Sequence, residues 1–325
     1  MSPSPPPAEF PAPPAPPPWR RYLGIARLDH WIKNIFVLPG ILVAGLILGS
    51  WRDLSLPTTL LALLAVGLAA SANYTINEFL DAPSDRFHPV KKFRPGALGL
   101  LDGRIVFLQY LALAAAALAL GEWAVNPPFT LTLGALLIMG GLYNVRPFRL
   151  KDRVFLDVLS ESINNPLRLL LGWFILVDDL LPPSSVVIAY WMGGAFLMAV
   201  KRHAEYQQIG DPARAGDYRL SFRRYTLNSL LLSAFFYAIS SSFFLAVFLI
   251  KYRIEYILVF PLFSALFTWY LALSVNGIPS GAEPPEDLHR QKGFMAFTIA
   301  LGLLCVLLLF VDLPWLRVLL EPVRR

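Results

Sequence analysis

The sequence predicts an all-α integral membrane protein with about nine transmembrane helices in a single bundle. Three observations carry this. The 325 residues are 56% hydrophobic, only 15% are charged where a soluble domain carries about 25%, and the apolar residues gather in long runs such as 54–72, 105–120, 229–250 and 296–309. A soluble helical core would need one polar face per helix, whereas these segments are apolar nearly all round.

Taken in order, residues 1–18 hold ten prolines and no apolar h-region, which predicts a disordered Pro-rich tail rather than a signal peptide or a helix. Spanning segments follow near 34–50, 54–80, 104–122, 127–145, 154–177, 184–203, 226–251, 254–274 and 292–312. The longest polar stretches between them, 82–103, 204–224 and 275–291, are too short to fold alone, so residues 19–325 read as one helical transmembrane domain. Cys305 lies alone in an apolar helix, which excludes a disulfide framework and a thiolate metal site.

Charge sets the orientation. With the N-terminus inside, 21 of the 28 Lys and Arg residues fall in connections on the inner side, six fall outside, and Arg168 lies within a span. This asymmetry predicts a multi-pass protein of the inner (cytoplasmic) membrane, with the N-terminus, the tail and the polar loops in the cytoplasm. The net charge of +6 is thereby explained by topology, and nucleic-acid binding is not implied.

The chemistry-bearing residues collect at those inner ends. The first group is Asn77-Glu78-Phe79-Leu80-Asp81-Ala82-Pro83-Ser84-Asp85. Asn73, Asn77 and Asp81 recur every four residues and share one helix face, until Pro83 is expected to break the helix. Carboxylates one turn apart at a bilayer edge suit Mg²⁺, a hard cation that takes one or two carboxylates plus substrate phosphates and waters. The second group, Asp157, Glu161, Asn164 or Asn165, and Arg168, lies on a single helical stripe within an apolar span. Such groups need partners inside the bundle, either in a Glu161–Arg168 ion pair or in a cavity where two facing acid stripes bind two cations and a diphosphate. Asp81 and Asp85 precede Asp157 and Glu161 by 76 residues, a faint echo of an internal repeat.

A basic set surrounds these acids: His88, Lys91, Lys92 and Arg94, then Arg149, Lys151 and Arg153, then Lys201, Arg202 and His203 with Glu205. A diphosphate needs cationic donors beside its metal, and Lys91, Arg94, Lys151, Lys201 and Arg202 are the expected phosphate contacts. The four histidines match no zinc spacing. In Asp29-His30-Trp31-Ile32-Lys33-Asn34, Trp31 and Lys33 read as interfacial belt residues, with Lys33 also a candidate substrate contact.

Asn77-x-x-x-Asp81-x-x-x-Asp85, then Arg94-Pro95, then Tyr143, Lys151 and Asp157 resemble the UbiA-type intramembrane prenyltransferase superfamily over residues 25–315. The resemblance implies a UbiA-like bundle of nine helices with two acidic motifs on the cytoplasmic side, in which Mg²⁺ binds a diphosphate that departs from an electrophilic carbon. Trp31-Ile32-Lys33-Asn34, the 88–95 motif, Lys151, Arg168 and Lys201-Arg202-x-x-Glu205 are similar to its decaprenyl-phosphate phosphoribosyltransferase branch. That branch implies transfer of phosphoribose from phosphoribosyl diphosphate to a polyprenyl phosphate. By match, Asn77, Asp81, Asp85, Asp157 and Glu161 would hold metal, and Asp81, Asp85, Asp157 and Glu161 would be the catalytic carboxylates. Lys91, Arg94, Lys151, Lys201 and Arg202 would bind phosphates, and Arg168 and Tyr143 would position the substrate.

Three features depart from the branch: Glu78 in place of the usual Asp, a longer 143–151 link, and Glu161 one turn after Asp157. The last resembles true prenyltransferases, so the alternative is transfer of an isoprenyl chain from a polyprenyl diphosphate to an aromatic or other small acceptor. A transporter, with the acids lining an ion path, ranks lower because the acids lie at one leaflet edge rather than near the midplane.

Overall fold

A computed structural model of the chain describes residues 17–87, 91–275, 291–309 and 311–316. Residues 1–16 of the expected tail, His88 and the polar stretch 276–290 lie outside the described residues. Among the described residues every regular element is helical. Helix α1 (Pro18–Ile25) leads through a 3₁₀ stretch over Leu28–Val37 into α2 (Leu38–Leu48). Then come α3 (Leu56–Asp85), α4 (Gly103–Ala124), α5 (Pro127–Asn144), α6 (Leu156–Ser162), α7 (Asn164–Phe174) and α8 (Ser184–Ile209). The short α9 (Pro212–Tyr218) precedes α10 (Leu227–Tyr252), α11 (Phe260–Val275) and α12 (Lys292–Leu309).

Helices start where a side-chain oxygen satisfies a first-turn N–H. Ser55 accepts from the Thr58 N–H at 3.4 Å, and Asn126 accepts from the Phe129 N–H at 2.9 Å. Thr226 and Ser229 form a reciprocal capping box at α10. Among the described residues six stretches are long and apolar enough to cross a membrane: Pro18–Leu48, Leu56–Asp85, Gly103–Ala124, Ser184–Ile209, Leu227–Tyr252 and Ile254–Val275. This is fewer than the nine expected. Helix α5 has 18 residues, the 154–177 segment is divided at Ile163 into α6 and α7, and α12 offers the shorter apolar stretch Lys292–Leu308.

The two largest apolar cores run through most of the bundle. One joins α2 to α5 and α7, and the other joins α8, α10, α11 and α12 through Phe196, Tyr237, Tyr270 and Phe294. Large side chains such as Leu108, Leu131 and Leu232 stand exposed on the outer surface, as lipid-facing residues do. Helices α2 and α7 cross at two glycines, with their backbones in contact. A Cβ on Gly40 would lie 1.9 Å from the Leu169 carbonyl oxygen, and one on Gly172 would lie 1.9 Å from that of Val37. Small residues at a crossing permit this approach in membranes. Gly172→Val is therefore expected to destabilise the detergent-solubilised protein by at least about 1–3 kcal/mol. Unfolding at the wild-type temperature would show that the two helices can separate at no cost.

Helices α3, α5 and α8 all terminate at the same end of the bundle, and that end carries the polar residues. Pro83 does not break α3, which runs on to Asp85. A proline in the last turn removes one hydrogen bond yet leaves the final carboxylate on the helix. Asn77, Asp81 and Asp85 thus share one continuous face.

Candidate functional site

At this end a cavity of about 1120 Å³, counting the part open to solvent, is lined by 23 residues. Ten are Lys or Arg and six are Asp or Glu, and Leu220 is the one aliphatic lining side chain. Of the residues expected from sequence, Lys33, Asn77, Asp81, Asp85, Lys91, Arg94, Tyr143, Lys151, Glu161, Lys201 and Arg202 line it. Asp157 and Arg168 do not.

The first acidic face is held by cations from two loops. Lys151 donates to the Asp81 carboxylate, to Asn144 Oδ1 at 2.8 Å and to Asn77 Oδ1 at 3.4 Å. Burial pushes the Lys151 ammonium below its ordinary value, against the pull of Asp81. Arg149 reaches Asp81 at 3.4 Å and Asp152 at 2.9 Å. It does so from a left-handed backbone (φ 32°), a conformation unfavourable for a residue with a Cβ. Asp85 is buried against Arg94 at 2.9 Å. Glu78 lies on another face, buried against Gly96 rather than lining the cavity.

The second acidic stripe is likewise surrounded by protein groups. Asp157 is fully buried, its carboxylate accepting from Tyr225 Oη at 2.8 Å and Ser221 Oγ at 3.2 Å, with Arg202 Nε at 3.6 Å and Arg219 at 3.9 Å. Burial and then the Asp157 charge push the Tyr225 phenol well above its ordinary range, so it remains a donor. Glu161 accepts from Tyr143 Oη at 2.7 Å and is paired with Arg202, which also binds Glu205 at 2.9 Å. Protein donors thus meet both acids, Asp157 in the buried interior and Glu161 at the cavity wall. Arg168 is correspondingly not paired with Glu161, and its guanidinium faces Tyr74 and Tyr190.

Other expectations also shift. Trp31 is no belt residue: its ring packs on Gly67 and its Nε1 donates to Ser71 Oγ at 2.9 Å, which turns His30 and Lys33 toward the cavity. Sequence reasoning missed Tyr218 and Arg219, the last residue of α9 and the residue that follows it. Tyr218 Oη accepts from Lys91, and Arg219 donates to Tyr143 Oη at 3.4 Å. Aromatic contacts of Tyr206, Tyr218 and Tyr225 around Phe222 anchor that segment. The only sequence signal was the density of cations in the 204–224 loop.

Among the described residues no three His, Cys, Asp or Glu side chains converge as a preformed metal cage. Asn77, Asp81 and Asp85 fit a different kind of site. Two carboxylates and an amide oxygen one turn apart, facing a cation-rich cavity, suit an ion that takes its remaining ligands from phosphate and water.

Residues 36–283 match the UbiA prenyltransferase family. The decaprenyl-phosphate phosphoribosyltransferase of Mycobacterium tuberculosis is 30% identical over 181 residues, 55% of this chain and 58% of that protein, so this chain spans little more than half of the relative's length. The protoheme IX farnesyltransferase of Alkalihalophilus pseudofirmus is 27% identical over 201 residues, 60% of this chain and 63% of that protein. In three dimensions the chain is similar to a UbiA homolog from Archaeoglobus fulgidus solved with GPP and Mg²⁺. The TM-score is 0.67 and the identity 23%, with 90% of this chain and 100% of that one covered. The matched stretch holds both acidic motifs and most of the cavity, and the chain belongs to the UbiA prenyltransferase family.

Proposed function

We propose that this membrane transferase moves phosphoribose from phosphoribosyl diphosphate to a polyprenyl phosphate, with Mg²⁺ as cofactor, at the cytoplasmic face of a nine-segment bundle. The observation that carries the reading is the cavity wall, with ten Lys or Arg, six acids and one aliphatic side chain. Such a wall suits a donor that is anionic along its whole length. An isoprenyl diphosphate would need an apolar lining beside its diphosphate. The relatives named as decaprenyl-phosphate phosphoribosyltransferases support the same donor.

Asn77, Asp81 and Asp85 would hold the metal, whose contribution is to neutralise charge on the leaving diphosphate. Lys91, Arg94, Lys151, Lys201, Arg202 and Arg219 would bind and orient the phosphates. The lipid's phosphate oxygen attacks the anomeric carbon, and the C–O bond to the diphosphate breaks with its electron pair. Asp157 acts one layer back, holding Arg202 and the Ser221–Tyr225 segment so that Arg202 and Arg219 face the substrate. As substrate binds, Lys151 exchanges Asp81 for a phosphate oxygen while Asn144 keeps it in place.

Purified protein with Mg²⁺ should carry label from phosphoribosyl diphosphate into the organic phase only when a polyprenyl monophosphate is present. Label that stays in water across several lipid lengths, while an isoprenyl diphosphate labels an aromatic or heme-type acceptor, would establish prenyl transfer instead. The second reading draws on the farnesyltransferase relative. The ion-transport reading is set aside, because the chain belongs to a transferase family.

A further inference from the structure

Arg168 stands in the bundle interior without a counter-charge. It is 9% exposed on α7, and among the described residues no carboxylate lies within ion-pair distance of it. The acid on its own stripe, Glu161, is committed to Arg202 and Tyr143. Two phenols lie beside the guanidinium: Tyr74 of α3 and Tyr190 of α8. Its Nε has no partner. A guanidinium cannot shed its proton, and an unpaired one in a low-dielectric interior is strongly unfavourable. A bundle that keeps this charge where no acid meets it is built for an anion from outside the chain.

The surroundings say which anion. On one side Tyr74 belongs to the wall of the polar cavity. On the other, Tyr190 donates to the Phe36 carbonyl at 3.3 Å, and the two rings meet edge-on at 6.5 Å. Beside Phe36, Ile32 and Ile35 are exposed as lipid-facing residues are. Arg168 therefore lies between the cavity and a lipid-facing seam, where an amphipath can present its charged end inward and keep its chain in the bilayer.

We propose that Arg168, with Tyr74 and Tyr190, forms the subsite for the phosphate monoester of the lipid acceptor, whose chain leaves past the Phe36–Tyr190 pair. The donor stays on the Asp81 side of Tyr74. This rests on the reading that the acceptor is a polyprenyl phosphate. The Arg fork holds two phosphate oxygens and leaves the third directed at the cavity for attack.

Binding, rather than turnover, tests this. Full-length protein in detergent is titrated with a labelled polyprenyl monophosphate and, separately, with labelled phosphoribosyl diphosphate, for wild type, Arg168→Gln and Arg168→Lys. Arg168→Gln should weaken the lipid phosphate by roughly 10- to 100-fold and leave the sugar diphosphate within about twofold. Arg168→Lys, which keeps the charge and loses the fork, should fall between, and a polyprenol without phosphate should bind all three alike. Unchanged lipid-phosphate binding in Arg168→Gln, or loss of the sugar diphosphate instead, overturns the proposal. Competition by inorganic phosphate as strong as that of the lipid would mean a free-phosphate site and overturns it too. If Arg168→Gln does not fold, Arg168→Lys carries the test, and wild-type affinity for both ligands counts against the proposal. Wild-type protein that binds the lipid phosphate through Arg168 but transfers no phosphoribose would retire the donor reading and keep this subsite.

Discussion

Asp81→Asn is expected to lower Mg²⁺-dependent transfer by about 10²–10³-fold, the scale on which one electrostatic group at a reacting phosphate acts. The substitution keeps size and hydrogen bonding and removes one charge. Asp81 is the carboxylate that faces Lys151, Arg149 and the cavity together, so it is the point where metal and cation compete. The fold should survive. Lys151 retains the Asn144 and Asn77 oxygens as acceptors. The discriminating readout is Mn²⁺ binding followed by spin resonance, alongside thermal stability in detergent. Weaker Mn²⁺ binding with an unchanged unfolding temperature supports the metal role. Unchanged Mn²⁺ binding with lost stability would make Asp81 a structural partner of Lys151 and move the metal elsewhere.

The second large effect is on stability. Arg202 is fully buried and is the shared counter-ion of Asp157, Glu161 and Glu205. Arg202→Met removes one cation and leaves three carboxylates around the gap, Asp157 and Glu205 among them buried as deeply as the arginine. Breaking a buried pair from one side costs about 3–5 kcal/mol, because the other side keeps its desolvation penalty. Denaturation of Arg202→Met should show this loss. The double variant Arg202→Met with Glu205→Gln should recover part of it, since it removes a buried carboxylate that has lost its 2.9 Å Arg202 partner. Wild-type stability in the single variant would mean that Lys91 and Arg219, which reach Glu205 at 3.9 Å and Asp157 at 3.9 Å, already suffice.

Both predictions turn on pairings that spacing could not display. Asp157 and Glu161 are one turn apart in sequence, as Asp81 and Asp85 are, and from that alone the two motifs look equivalent. In the fold the first pair lines the cavity on an unbroken α3. The second pair sits on a two-turn helix that starts at Phe155 in a left-handed conformation (φ 64°) and ends at Ile163. The start is fixed by the Phe155 N–H donating to Tyr225 Oη at 2.7 Å, a contact across 70 residues. No local pattern encodes it.

By itself the sequence determined that this is an all-helical membrane protein, that its acids and cations gather at one end, and that Asn73, Asn77 and Asp81 share a face. These follow from local facts: apolar run length, charge asymmetry and the 3.6-residue repeat. Only the tertiary structure decided that α3 carries Asp85 past Pro83 onto the same face, that Asp157 turns inward to hold Arg202, that Arg219 reaches the cavity from a loop, and that no acid among the described residues meets Arg168. The physical reason is that a buried charge is defined by what surrounds it. Its neighbours arrive from other helices and loops, at distances along the chain that periodicity does not measure.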